Sequence, residues 1–160
     1  MRLQPVDLSF AERAPYACIQ DADVAAPPYA VFEALADLES WPRRFGPGTR
    51  GEWITSPPHG IGTVRTAQVG AFYLVECFVA WESGQRFAFT VTEANLPFAR
   101  AMLEDWRIAP THQGSRVTYA IYYAPPLLLR PFAALILRRI ERDAKATLAN
   151  LKRWVETRSA

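Results

Sequence analysis

TVRTAQVGAFYLVECF, residues 63–78, reads as two extended runs hinged on Gly70-Ala71. Glycine at the first central position marks a type II′ two-residue hairpin, whose twist suits paired strands. That turn fixes the register. Val69 faces Phe72, Ala67 faces Leu74, Arg65 faces Glu76 and Thr63 faces Phe78, all on one side of the sheet. An arginine and a glutamate are thereby set opposite each other among apolar partners.

Working outward, the region from Gly51 to Ala124 holds short runs rich in β-branched and aromatic residues, separated by the turn signals SPPHGIG, VGA, WESGQ, EANLP and PTHQG. It predicts an antiparallel meander of six strands. Phe87, Phe89 and Val91 alternate with smaller residues, as do Val117, Tyr119, Ile121 and Tyr123, so one face is aromatic. Met102, Glu104, Trp106 and Ile108 share that parity, while Leu103, Asp105 and Arg107 oppose it. Upstream, YACIQDADV (16–24) is extended and AAPPYAVFEALADLESWPRRF (25–45) gives two short helices. Pro27 and Pro28 suit the first turn, Asp37 caps the second helix, and Pro42 is expected to stop it. The chain closes with its longest helix, from Pro126 or Pro131 to about Thr157. Its apolar stripe is Phe132, Ile136, Ile140, Ala144, Leu148, Leu151 and Val155, with Arg138, Arg142, Lys145 and Lys152 on the opposite face.

The 160 residues are half hydrophobic and about one-fifth charged, which fits one domain, expected over residues 15–157 with 1–14 as an N-terminal extension. A net charge of +2 gives no general drive toward nucleic acid. Residues 126–160 nevertheless carry eight basic and three acidic side chains. No run is continuous enough for a signal peptide or a membrane span, since LLLRPFAALIL is broken by Arg130 and Pro131. Cys18 and Cys77 read as small hydrophobes in a reducing compartment. A soluble cytoplasmic protein is expected, with no integral membrane association and no nucleic acid partner.

Strand, two short helices, six antiparallel strands and a long amphipathic helix make an α+β arrangement in which a curled seven-stranded sheet wraps the last helix. One helix is about 10 Å wide, whereas seven strands at about 4.8 Å spacing make a face more than twice as broad. The helix cannot fill it. Either aromatic side chains close the gap or a pocket remains between sheet and helix.

Five segments carry a resemblance to a known family: AAPPYAVFEALADLESWPRRF, GIGTVRT, VECFVAWESGQRFAFTV, GSRVTYAIYYAPP and the terminal TLANLKRWVE. Over residues 15–156 the chain resembles the START-like, or SRPBCC, superfamily with the helix-grip fold, and most closely its polyketide cyclase/dehydrase-like branch. The resemblance implies a hydrophobic cavity for lipids, polyketides or other small apolar molecules, with enzymes in the minority. None of the five motifs is catalytic.

The candidate ligand-binding residues are Arg65, Glu76, Phe78, Phe89, Glu104, Trp106, Tyr119, Tyr123 and Ile140. Arg65 with Glu76 reads either as a charged pair in the cavity wall or as an ordinary cross-strand ion pair near an edge or on the outer face. Glu104 is a second carboxylate for acid–base work or a strand-mouth residue in water. Tyr119 and Tyr123 supply hydroxyls or packing. Trp41, Pro42 and Phe45 line an entrance or pack a cap. His59 and His112 lie in separate turns, so no metal site, catalytic triad or cofactor is expected. The leading expectation is binding of a small hydrophobic or aromatic ligand. The alternatives are a cyclase or dehydratase using Glu76 or Glu104, and an adaptor or lipid-surface protein using Leu135, Arg138 and Arg142 on the terminal helix. A homodimer is left open.

Overall fold

Seven antiparallel strands form one sheet in the computed structural model, which describes residues 1–159. A one-turn helix α1 (Phe10–Arg13) precedes β1 (Tyr16–Val24). Then come α2 (Pro28–Ala36), a 3₁₀ turn (Leu38–Ser40) and α3 (Trp41–Phe45). The meander follows as β2 (Thr49–Trp53), β3 (Val64–Val69), β4 (Phe72–Glu82), β5 (Arg86–Ala94), β6 (Ala101–Thr111) and β7 (Gly114–Ala124). A 3₁₀ segment (Leu127–Phe132) leads into α4 (Ala133–Ser159). The strand order is β1-β7-β6-β5-β4-β3-β2. This is the helix-grip arrangement, α+β.

Gly70 holds φ at +59° while Ala71 stays out of the left-handed region, the combination a type II′ turn requires. The pairs Val69–Phe72, Ala67–Leu74 and Arg65–Glu76 follow, and Phe78 N donates to Thr63 O at 2.9 Å. Farther along β4 the alternation breaks. Phe78 pairs with Phe89 but Ala80 with Ala88, so Val79 is the extra residue of a bulge. The bulge turns Trp81 onto the concave side, where its ring meets Phe32, Phe78 and Phe87.

Three local expectations are corrected. Pro42 sits in the first turn of α3 instead of ending a helix, because a proline there gives up no intrahelical bond. Asp37 caps the preceding 3₁₀ turn, accepting from Ser40 N at 3.3 Å. Phe132 is exposed, since the chain is still in the 3₁₀ segment there, and Ala133 takes the buried position. Lys152 stays on the solvent-facing side, as expected, and its Nζ donates to Asp23 O at 2.5 Å. With Glu156 Oε1 accepting from Ala25 N at 2.8 Å, it ties the end of α4 to the end of β1.

Residues 1–14 are bonded into the sheet they precede. β5 and β6 pair only from Arg86–Arg107 to Thr90–Leu103 and then part. The N-terminal residues occupy the split: Leu3 N donates to Thr92 O and Gln4 N to Arg100 O, both at 2.8 Å. Val6 and Phe10 then cover Leu103, Ala120 and Tyr122 on the convex face.

Candidate functional site

The two short helical pieces are seated on β2 by a glycine. A Cβ on Gly51 would lie 3.1 Å from Leu38 and 3.2 Å from Trp41, so its absence lets those side chains rest against the strand. Trp41, Arg44 and Phe45 are thereby carried to the mouth of the concave face. Across from them α4 turns Arg139, Asp143, Thr147 and Asn150 toward the same space. Its apolar stripe, centred on Ala144, Leu148 and Leu151, joins the main core, and Leu151 also reaches the cavity. Between these elements lies a cavity of about 360 Å³, within the size range of small-molecule sites.

Arg65, Glu76, Phe89, Glu104, Trp106 and Tyr119 all border it. Three other candidates do not. Phe78 lies a layer deeper, packed on Trp53, Trp81, Phe87 and Phe89. Tyr123 has the inward parity but lies too far along β7; fully buried, it donates its hydroxyl to Phe98 O at 2.6 Å. Ile140 packs against the main core, because the cavity-facing stripe of α4 runs through Arg139 and Asp143. Trp41 and Phe45 are lining residues, and Pro42 is not among them.

Arg65 and Glu76 point inward and are each only 3 % exposed. The outer-face or edge reading of this pair is therefore overturned. Arg65 Nε donates to Glu76 Oε2 at 2.5 Å. The guanidinium carbon lies 4.6 Å from the ring centre of Phe89, 4.8 Å from Trp41 and 5.0 Å from Phe78. Aromatic faces thus supply part of what water would give the cation. Among the described residues Arg65 Nη1 has no hydrogen-bond partner.

On the facing strands, Tyr119 donates its hydroxyl to Glu104 Oε2 at 2.5 Å. The Trp106 ring stacks on Tyr119 at 3.7 Å and 11°. Burial, and then the negative charge of Glu76, push the Glu104 carboxyl up to about 7; the Tyr119 bond and Arg65 oppose the shift. Burial and the neighbouring Glu104 hold the Tyr119 phenol well above its usual range. Glu104 can therefore carry a proton near neutrality while Tyr119 remains a donor.

Arg44 was not anticipated from the sequence. It is 7 % exposed and borders the cavity. Nη2 makes one long bond of 3.4 Å to Asp37 O, while Nε and Nη1 have no partner among the described residues. Burial lowers its pKa to about 10; the charge of Asp37 opposes this and that of Arg65 adds to it. Elsewhere, Cys18 is buried and Cys77 half-buried, and His59 stacks on Trp53 at 4.4 Å.

Residues 19–156 match the family described as polyketide cyclase/dehydrase and lipid transport. The chain belongs to that family. An uncharacterized protein of Mycobacterium tuberculosis is 35% identical over 163 residues, covering 97% of this chain and 93% of its own. Among solved structures, a protein of Thermus thermophilus superposes with a TM-score of 0.74 at 19% identity, covering 91% of this chain and all of the other. The Zhui aromatase/cyclase of a Streptomyces species gives a TM-score of 0.71 at 18% identity, covering 91% and 96%. Both likenesses are of fold. No helix among the described residues is long and apolar enough to cross a membrane.

Proposed function

We propose that this protein binds a small hydrophobic or aromatic molecule, lipid-like or polyketide-like, between the sheet and α4. The carrying observation is the cavity itself: about 360 Å³ walled by Phe87, Phe89, Trp106 and Leu151, yet holding a buried ion pair. Apolar burial supplies the affinity and the polar groups the orientation. A ligand burying about 300 Å² of apolar surface gains roughly 7 kcal/mol before the cost of association, so micromolar binding is within reach. The family description, with its cyclases and lipid transport, supports the same reading.

The test is a fluorescence titration with N-phenyl-1-naphthylamine, a neutral apolar dye, joined to native mass spectrometry of the purified protein. Saturable binding is expected in the wild type. Ala146→Trp, on the exposed surface of α4 beside the cavity, should abolish it without lowering the melting temperature. A wild type that takes up neither dye nor co-purified ligand would overturn the proposal.

A second reading, proton transfer on a bound polyketide-like chain, is favoured by one observation: Glu104, with its pKa raised to about 7, is bonded to Tyr119 inside the cavity. A group titrating there can give and take a proton near neutral pH. On a poly-β-ketone thioester, Glu104→Gln should stop cyclisation while dye binding persists. Unchanged turnover would remove Glu104 from the chemistry.

A further inference from the structure

The charges around the cavity do not balance. Glu76 is engaged by Arg65, Asp143 by Arg139 at 2.7 Å, and Glu104 is bonded to Tyr119 and only partly ionised at neutral pH. Asp37 spends its carboxylate capping the 3₁₀ turn and forms no ion pair with Arg44 among the described residues. Arg44 is therefore a buried cation with no bonded anion. Beside the paired Arg139, two guanidinium groups border the cavity and repel each other, and among the described residues three of their nitrogens lack partners: Nε and Nη1 of Arg44 and Nη1 of Arg65.

Buried donors left open are costly, and a buried charge left unpaired more so. Structure alone does not call for this arrangement, since a leucine at position 44 would pack against Trp41 and Phe45 without either penalty. A planar oxyanion is what such donors suit: a guanidinium offers parallel N–H groups that match a carboxylate. The aromatic and aliphatic part of the wall suits a ligand with an apolar body beside that oxyanion.

The geometry points to an anion subsite at the mouth of the cavity, formed by Arg44 and Arg65, that takes the carboxylate head of an amphipathic ligand whose apolar body lies along Phe89, Trp106 and Leu151. This deepens the ligand-binding reading and rests on it. It names the ligand class as apolar acids in their ionised form. It also gives Arg65 a second role: one edge of its guanidinium holds Glu76 and the other faces the ligand.

The experiment is displacement of N-phenyl-1-naphthylamine by decanoate, 1-decanol and acetate at low ionic strength. An undifferentiated greasy pocket prefers the alcohol, which costs less to remove from water. The wild type should instead bind decanoate at least tenfold more tightly than decanol, and acetate should not compete. Arg44→Gln should weaken decanoate about tenfold or more and lower dye and decanol binding by much less. Arg44→Lys should retain part of the preference.

Equal or better displacement by decanol from the wild type overturns the subsite. So does an equal loss for acid and alcohol in Arg44→Gln, and acetate competing as well as decanoate overturns the amphipathic assignment. Should Arg44→Gln fail to fold, the wild-type ratio and Arg44→Lys still decide. Failure of the dye to enter the wild type is the separate result that removes the cavity reading, and this inference with it.

Discussion

Two of the arginine–carboxylate pairs that bridge adjacent strands lie on opposite faces of this sheet and bury their carboxylates. On the convex side Arg86 grips Asp105 with two bonds, of 3.0 and 2.9 Å, and Arg107 approaches the same carboxylate at 3.6 Å. The Arg86 side chain is 29 % exposed, so its free N–H groups can meet water. On the concave side Arg65 and Glu76 share a single bond, their side chains are each 4 % exposed, and a donor is left over. Both pairs include a carboxylate almost removed from solvent. Incomplete hydrogen bonding separates them: the closed pair is scaffold, and the open one has capacity for a guest.

The sharpest way to break this contrast is to remove each carboxylate in turn. Glu76→Ala strands a buried cation and should cost about 3–5 kcal/mol in urea unfolding, and it should also alter dye binding. Asp105→Ala should cost less, about 2–3 kcal/mol, because Arg86 can turn toward water, and dye binding should stay at the wild-type value. Equal losses, or a binding defect in Asp105→Ala, would erase the distinction between the faces.

A smaller effect concerns Glu104. Its folded pKa lies above the unfolded value of 4.5, so the native state keeps a proton that the unfolded chain releases. This group's contribution to stability is thus fully present below about pH 4.5 and declines as pH rises through 7. Glu104→Gln should be more stable than wild type above pH 8 by about 3 kcal/mol and indistinguishable below pH 4. A variant less stable than wild type at high pH would mean that the ionised Glu104 is welcome in the cavity, against the charge picture drawn from its neighbours.

Much of this was legible in the chain. Gly70 alone set the β3–β4 register and placed Arg65 against Glu76, because a two-residue turn leaves no freedom to slip. Parity named the inward faces of β5, β6 and β7. It could not say how far along a strand the cavity extends, so Tyr123 was grouped with Tyr119 although only Tyr119 borders the cavity. Parity also fails at a bulge, which left Trp81 out of the aromatic cluster. Arg44 was invisible for another reason. Arg43 and Arg44 in sequence look like a solvated helix end, and only the docking of α3 over Gly51 buries Arg44, while Arg43 lies over the Trp154 ring at 5.2 Å. The N-terminal segment alternates too weakly to announce a strand, yet it fills a split that the β5–β6 pairing creates.

That split carries a consequence for how the molecule is made. Val6 docks on Thr90, 84 positions later in the chain, and Leu3 and Phe10 find their seats only beside comparably distant residues. A growing polypeptide therefore presents three greasy side chains well before their receptors have been synthesised. They must wait for the β5–β6 edge to open a berth, so this stitch forms only after most of the sheet has been made.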